Sequence, residues 1–197
     1  EDGGDELAGI FKAVKECGCM TSLDMSAVDE NTKAGKADWY GILEKTLPYV
    51  DFFLPSVEEI CYMLDKEKYD ALQNRANGGD ITEILSIEED VVPLAEKILN
   101  MGCKFAMVKC GAKGFYYQAK DADAFALLEE ESGLDFSSFA GKAGFEKSYV
   151  PNAVVSGTGA GDTTIAAFLT AMCKGYPLER CLQLAAGTGA SCVEAID

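Results

Sequence analysis

Val50-Asp51-Phe52-Phe53-Leu54-Pro55-Ser56-Val57-Glu58-Glu59 is the stretch on which the reading of the fold turns. Its first half, Val50 to Leu54, is a near-continuous apolar run, the pattern of a strand buried on both faces. Its second half reads as the opening of a helix over Ser56 to Leu64. Ser56 and Glu59 stand three apart, the spacing at which a hydroxyl caps the third amide while a carboxylate reaches back to the first.

The chain on either side alternates in the same way. Upstream, Leu7, Ile10, Phe11 and Val14 mark one face of a helix that stops near Gly18. Cys19 to Met25 reads as a short strand, and Trp39, Ile42, Leu43 and Leu47 as a helix ending before Pro48. Downstream, residues 65–85 are polar and contain Asn77-Gly78-Gly79-Asp80, which reads as a loop or short helix. Ser86-Ile87-Glu88-Glu89 predicts a second capping box, leading a helix that carries Ile87, Val91, Leu94, Ile98 and Leu99 on one face. Lys104 to Lys109 is a strand, Gly111-Ala112-Lys113-Gly114 a turn, and Phe115 to Gln118 another strand. Residues 119–148 form an acidic, Gly- and Ser-rich excursion of weak periodicity. A glycine-rich turn at 156–161 opens a helix, and Pro177 starts another. Strand–helix alternation of this kind predicts an α/β sandwich with a mostly parallel sheet. With no repeat and no clear linker, residues 1–197 read as one domain.

Composition narrows the chemistry. Of 197 residues, 48% are hydrophobic, enough to build a core. Lys plus Arg number 17 and Asp plus Glu 33, a net charge of −16 that disfavours nucleic acid and anionic membrane surfaces as partners. Histidine is absent, which removes Ser-His-Asp and Cys-His hydrolases and His-ligated metals, and leaves proton transfer to Asp, Glu, Lys, Cys or Tyr. The eight cysteines include no C-x-x-C pair and sit mostly in apolar runs, as reduced, buried thiols of a cytoplasmic protein would. No apolar stretch is long enough to span a bilayer and no signal peptide opens the chain. Residue 1 is Glu, so a piece of a longer protein is expected.

Ser156-Gly157-Thr158-Gly159-Ala160-Gly161-Asp162 carries the strongest chemical signal. Glycines without Cβ atoms let backbone N–H groups converge on an anion, and the following helix adds unpaired donors and its positive dipole end. Phosphate suits such a structure best. A carboxylate beside phosphate repels it unless it works there, and the economical role for Asp162 is to accept a proton from the attacking hydroxyl. The plainer reading makes Asp162 a first-turn helix acid and the glycines a tight turn. Two phosphate motifs fail: Asp162 stands where a Walker A loop needs Lys, and where the Rossmann fingerprint needs Gly.

Ser156 to Leu169 resembles the second signature of the PfkB (ribokinase-like) carbohydrate kinase family, usually written D-T-T-G-A-G-D. Val50 to Glu59 resembles that family's strand leading to its N-x-x-E motif. Val108-Lys109-Cys110-Gly111-Ala112-Lys113-Gly114 resembles its nucleotide-site G-x-x-G turn, and Ala185-Ala186-Gly187-Thr188-Gly189-Ala190 its small-residue helix beside the adenine. The resemblance implies a ribokinase-like three-layer sandwich lacking the N-terminal portion and lid. It implies transfer of the γ-phosphoryl of ATP, with Mg2+, to a hydroxyl of a sugar-like small molecule. Asp162 would be the base, the amides of Gly159, Ala160 and Gly161 the anion hole, and Glu59 the residue linked to the metal. Lys109, Gly111, Gly114, Ala186 and Gly187 would line the nucleotide. Family members often form homodimers through the lid, which nothing here matches.

Each assignment has a structural rival. Lys109 reads equally as a solvated strand-end lysine, Gly111 and Gly114 as a hairpin turn, Gly187 and Gly189 as close helix packing, and Ser56 with Glu59 as a cap. Three departures stand out: Ser56 replaces the Asn of N-x-x-E, Ser156-Gly157 replaces Asp-Thr, and Asp24 in Leu23-Asp24-Met25-Ser26 resembles a D-x-N strand end with its Asn lost. A non-catalytic nucleotide-binding module, or a nucleoside or vitamin-precursor kinase of the same superfamily, are the alternatives.

Overall fold

The computed structural model describes residues 3–194. Five strands, β1 (Ser22–Leu23), β2 (Phe52–Phe53), β3 (Phe105–Lys109), β4 (Gly114–Ala119) and β5 (Ala143–Lys147), form one sheet in the order of the chain. β1–β2 and β2–β3 pair in parallel, β3–β4 and β4–β5 antiparallel. Only β4 therefore runs against the other four, and the sheet is mostly parallel as predicted.

Successive residues of the central strands feed opposite cores, as the period of two requires. Phe53, Ala106 and Val108 enter one core, with α2 (Trp39–Thr46), α3 (Val57–Leu64), α4 (Lys66–Ala76) and α5 (Val92–Asn100) packed around it. Phe52, Leu54, Phe105 and Met107 enter the other, under α6 (Ala122–Ser132), α7 (Ala160–Cys173) and α8 (Leu178–Cys192). Helices thus cover both faces and the expected three layers are present. The second core is aromatic: Phe105 stacks on Phe168 at 5.3 Å between centroids and lies 5.8 Å from both Phe52 and Phe139. The first helix, α1 (Asp5–Glu16), packs on α2 but buries no residue fully, and Ile10 of its apolar stripe is 57% exposed.

Several elements differ from their sequence reading. Val50 to Leu54 is buried throughout, yet only Phe52 and Phe53 join the ladder. The amides of Asp51 and Phe52 both converge on the Thr21 carbonyl, an irregular pairing that delays the start of β1 and β2. Of the loop or short helix that 65–85 allowed, the structure has the helix, α4, capped by Asp65 and ended by Asn77 at φ +49. The second capping box is corrected. Ser86 accepts from the Glu89 amide at 3.2 Å, but its own amide donates to Asp90 at 2.8 Å rather than to Glu89. A wide π turn over Ile87–Val91 brings the carboxylate one residue later into reach. The excursion at 119–148 contains α6 and β5, and α6 hid from periodicity because only Phe125 and Leu128 of it are buried.

The cysteines divide evenly. Cys61, Cys103, Cys110 and Cys181 are buried, whereas Cys17, Cys19 and Cys173 are exposed and Cys192 is half-buried. Burial pushes the thiols of Cys61, Cys103 and Cys110 up to about 12 and that of Cys181 to about 11, which keeps them protonated and inert. Among the described residues no helix is long and apolar enough to cross a membrane.

Candidate functional site

The carboxyl ends of β1, β2 and β3 lie side by side, the edge at which open α/β sheets build their ligand crevices. Lys109 closes β3. Its amide donates to the Pro55 carbonyl at 2.9 Å and it bridges Ser56, which fixes its backbone beside the start of α3. The side chain, 14% exposed, reaches Asp24 just past β1, with Nζ 2.8 Å from Oδ2. The solvated strand-end reading of Lys109 therefore gives way to a partly buried ion pair.

Lys109 also lies along the first turn of α7. A Cβ placed on Gly161 would sit 3.6 Å from Nζ and 3.9 Å from Cδ and Cε, so the lysine runs beside the glycine backbone. The turn before it depends on Gly159, whose φ of +78 is the left-handed conformation that glycine adopts freely. The Ser156 hydroxyl accepts from the Thr158 amide at 3.2 Å, and the Ala160 amide makes a long 3.3 Å bond to the Gly157 carbonyl. Helical bonding resumes where Thr163 donates to Gly159 at 2.9 Å. The amides of Gly161 and Asp162, one turn earlier, are those a helix leaves for an outside acceptor. Asp162 stands exposed on that turn. The carboxyl-terminal end of α8 flanks it, since the Thr163 hydroxyl lies 3.4 Å from Cys192 Sγ.

The other sequence candidates divide. Gly111 at φ +56 packs on Thr82, and a Cβ on Gly114 at φ +120 would strike the backbone of Glu146 and Ser148. The G-x-x-G turn is thus demanded by the β3–β4 hairpin and its contact with β5, whatever else it does. Gly189 packs against the Thr164 hydroxyl between α7 and α8, and Ala186 is buried in the aromatic core. Gly187 is half-buried, and a Cβ there would lie 3.7 Å from the Tyr149 ring. Glu59 closes the predicted capping box: Oε2 accepts from the Ser56 amide at 2.8 Å and Ser56 Oγ accepts from the Glu59 amide at 3.3 Å. Among the described residues no three Cys, Asp, Glu or His groups converge as a protein-only metal cage needs. Glu59, with one carboxylate oxygen in the cap, fits instead a Mg2+ whose remaining ligands are phosphates and waters.

Absent from the sequence candidates is the partnership of Asp24 with Lys109. Only the place of Asp24 at a strand end signalled it.

A three-layer sandwich with a glycine turn and a paired lysine at the carboxyl edge of its sheet is a ribokinase-like α/β fold. The solved Arabidopsis thaliana ribokinase, in complex with ribose and ATP, superposes with a TM-score of 0.65 at 24% identity, over 96% of this chain and 46% of that one. A putative ribokinase II from E. coli, in complex with ATP and Mg2+, gives 0.62 at 21% identity over 98% and 48%. In sequence, an Arabidopsis thaliana ribokinase is 28% identical over 186 residues, 94% of this chain and 37% of the relative. The sequence model described as "pfkB family carbohydrate kinase" matches residues 39–196. The chain belongs to the pfkB family of carbohydrate kinases, and it spans about half the length of the solved relatives it matches.

Proposed function

We propose that this chain is the nucleotide-handling and catalytic part of a kinase that transfers the γ-phosphoryl of ATP to a hydroxyl of a sugar or sugar-derived molecule. The observation that carries the reading is the approach of Lys109 to the Gly159–Gly161 turn at the carboxyl edge of the sheet. In this reading the amides of Gly159, Ala160 and Gly161 take up charge developing on the transferring group. Ala160 then exchanges its long bond to Gly157 for a phosphoryl oxygen. Asp162, exposed above them, accepts the proton of the acceptor hydroxyl as its oxygen attacks phosphorus. Gly111, Gly114, Ala186 and Gly187 lie along the nucleotide, Ala186 as the floor on which the half-buried Gly187 rests. Glu59 holds Mg2+, which neutralises phosphate charge when bound. That the Arabidopsis ribokinase was solved with ribose and ATP supports both the donor and the acceptor class.

The deciding experiment is ATP consumption across sugars, sugar acids and nucleosides, by this chain alone and by a chain of its relatives' length that contains it. The longer chain turns over a sugar, and Asp162→Asn in it lowers turnover by about 10²–10⁴. A loss within about threefold removes Asp162 from its role. The chain alone binds nucleotide weakly and releases no sugar-dependent ADP, because the motifs matched to the family serve the nucleotide and the transfer, and none of them the acceptor. A second reading, nucleotide binding without transfer, draws on the engagement of Glu59 in the helix cap. ATP binding by the longer chain with no acceptor in the panel consumed would select it.

A further inference from the structure

Cys17 and Cys19 flank Gly18 where α1 ends, and both are exposed. Gly18 at φ +71 takes the left-handed conformation that reverses a chain leaving a helix. Its amide donates to the Lys15 carbonyl at 2.9 Å, and the Cys19 amide returns to the Val14 carbonyl at 3.4 Å. Residues two apart around a left-handed glycine stand within the roughly 4.4–6.8 Å between Cα atoms that a disulfide spans. The Cys19 side chain turns back in the same direction, its Sγ donating to the Cys17 carbonyl at 3.9 Å. Lys15 pins the turn from outside, with Nζ 3.3 Å from the Cys19 carbonyl and 3.0 Å from Asp51 Oδ2. Joining the two sulfurs therefore falls to rotation of exposed side chains rather than to movement of the chain. The other two thiols with exposed surface have no such arrangement. Cys173 closes α7 while Cys192 lies beside Thr163 in its first turn, so about 15 Å of helix separates them.

We infer that Cys17 and Cys19 form a reversible redox site, a dithiol that closes to an intramolecular disulfide by exchange with a small disulfide of the glutathione class. One cysteine, as thiolate, attacks a sulfur of the small disulfide. That S–S bond breaks, and the departing thiolate takes up the proton the cysteine gave up. The second cysteine, likewise deprotonated, attacks the protein sulfur of the mixed disulfide and releases the second small thiol. Two protein thiols are oxidised to one disulfide, and one small disulfide is reduced to two thiols. The site lies before the amino end of β1, away from the carboxyl edge that holds the glycine turn, and it stands independently of the kinase reading.

The test equilibrates the 197-residue chain in mixtures of reduced and oxidised glutathione, quenches with acid, labels free thiols with N-ethylmaleimide and reads each cysteine by peptide mass spectrometry. Cys17 and Cys19 lose their label together, their shared peptide becomes lighter by two hydrogens, and dithiothreitol restores both labels. Cys17→Ser leaves Cys19 as a mixed disulfide with glutathione, and Cys19→Ser does the same for Cys17, because exchange then stops halfway. The wild type carries at least about tenfold less glutathione on these two residues than the single variants do, since the resolving thiol is already in place. Thermal melting by circular dichroism confirms that the variants are folded. The wild type alone also decides the matter. The inference is overturned if Cys17 or Cys19 accumulates glutathione in the wild type as heavily as in the variants. It is equally overturned if either cysteine links to a second chain, seen as a dimer on a non-reducing gel, or if both stay labelled in excess oxidised glutathione.

Discussion

Asp51 is wholly buried at the start of β2, yet it is held as a charge. Lys104 Nζ lies 2.6 Å from Oδ1 and Lys15 Nζ 3.0 Å from Oδ2, while Thr21 donates to Oδ2 from its amide at 2.9 Å and its hydroxyl at 3.1 Å. Burial pushes this carboxyl up, but Lys104, the Thr21 amide and Lys15 more than offset it and hold it below its ordinary 3.8. A carboxyl whose value is lower in the folded state contributes stability that is present above the unfolded value and lost as pH falls through the folded one. The cluster joins α1, β1, β2 and the approach to β3, so its loss is felt across the sheet. Asp51→Asn is expected to cost about 3 kcal/mol at neutral pH, because two lysines lose their buried counterion. The difference in denaturation midpoint between wild type and variant should shrink steadily below about pH 4. A difference that persists unchanged to about pH 2 would mean that the contribution is packing rather than charge.

At the scale of single elements, α3 separates two roles that Glu59 can play. Glutamine also closes a capping box, so Glu59→Gln keeps the helix start and leaves global stability within about 0.5 kcal/mol. Ser56→Ala, which removes the hydroxyl acceptor, costs about 1 kcal/mol and calibrates the comparison. If Glu59 holds Mg2+, the Gln variant binds ATP with no dependence on added Mg2+ while melting as the wild type does. Lower stability with the Mg2+ dependence intact would confine Glu59 to the cap.

The cap at Ser56 was legible because it is local: four consecutive residues contain both of its bonds. The glycine turn was legible for the same reason. The elements that the pattern marks weakly lack a buried face of their own. α4 buries only Leu72, so its pattern is polar all round, and β5 is an edge strand with no fully buried residue to set up alternation. The box predicted at Ser86 missed by one residue because the wide turn exchanges Glu89 for Asp90, a difference no propensity encodes. Asp24 and Lys109 meet across 85 residues of sequence, and only the parallel register of β1, β2 and β3 brings them together.

For the molecule as a whole, the sheet follows the order of the chain from one edge to the other. That arrangement has a kinetic meaning. The β3–β4 turn closes over residues 110–113, whereas β1 reaches β2 across residues 24–51 and β2 reaches β3 across residues 54–104. Short closures lose little chain entropy and long ones more, so the antiparallel meander should assemble first and the two-residue parallel pairs last. Cooperative opening should run in the reverse order, starting at β1, whose outer edge has no neighbouring strand among the described residues and whose covering helix α1 buries nothing fully. Native-state hydrogen exchange reads this directly. Amides of Met107 and Val108 should exchange only with global unfolding, while that of Leu54, bonded to the Leu23 carbonyl, should exchange through a smaller opening. Equal protection at both would make the sheet a single cooperative unit. On the expected result, the strand end that carries Asp24 is the last piece of the sheet to become ordered, so the hold on Lys109 is renewed each time that edge closes.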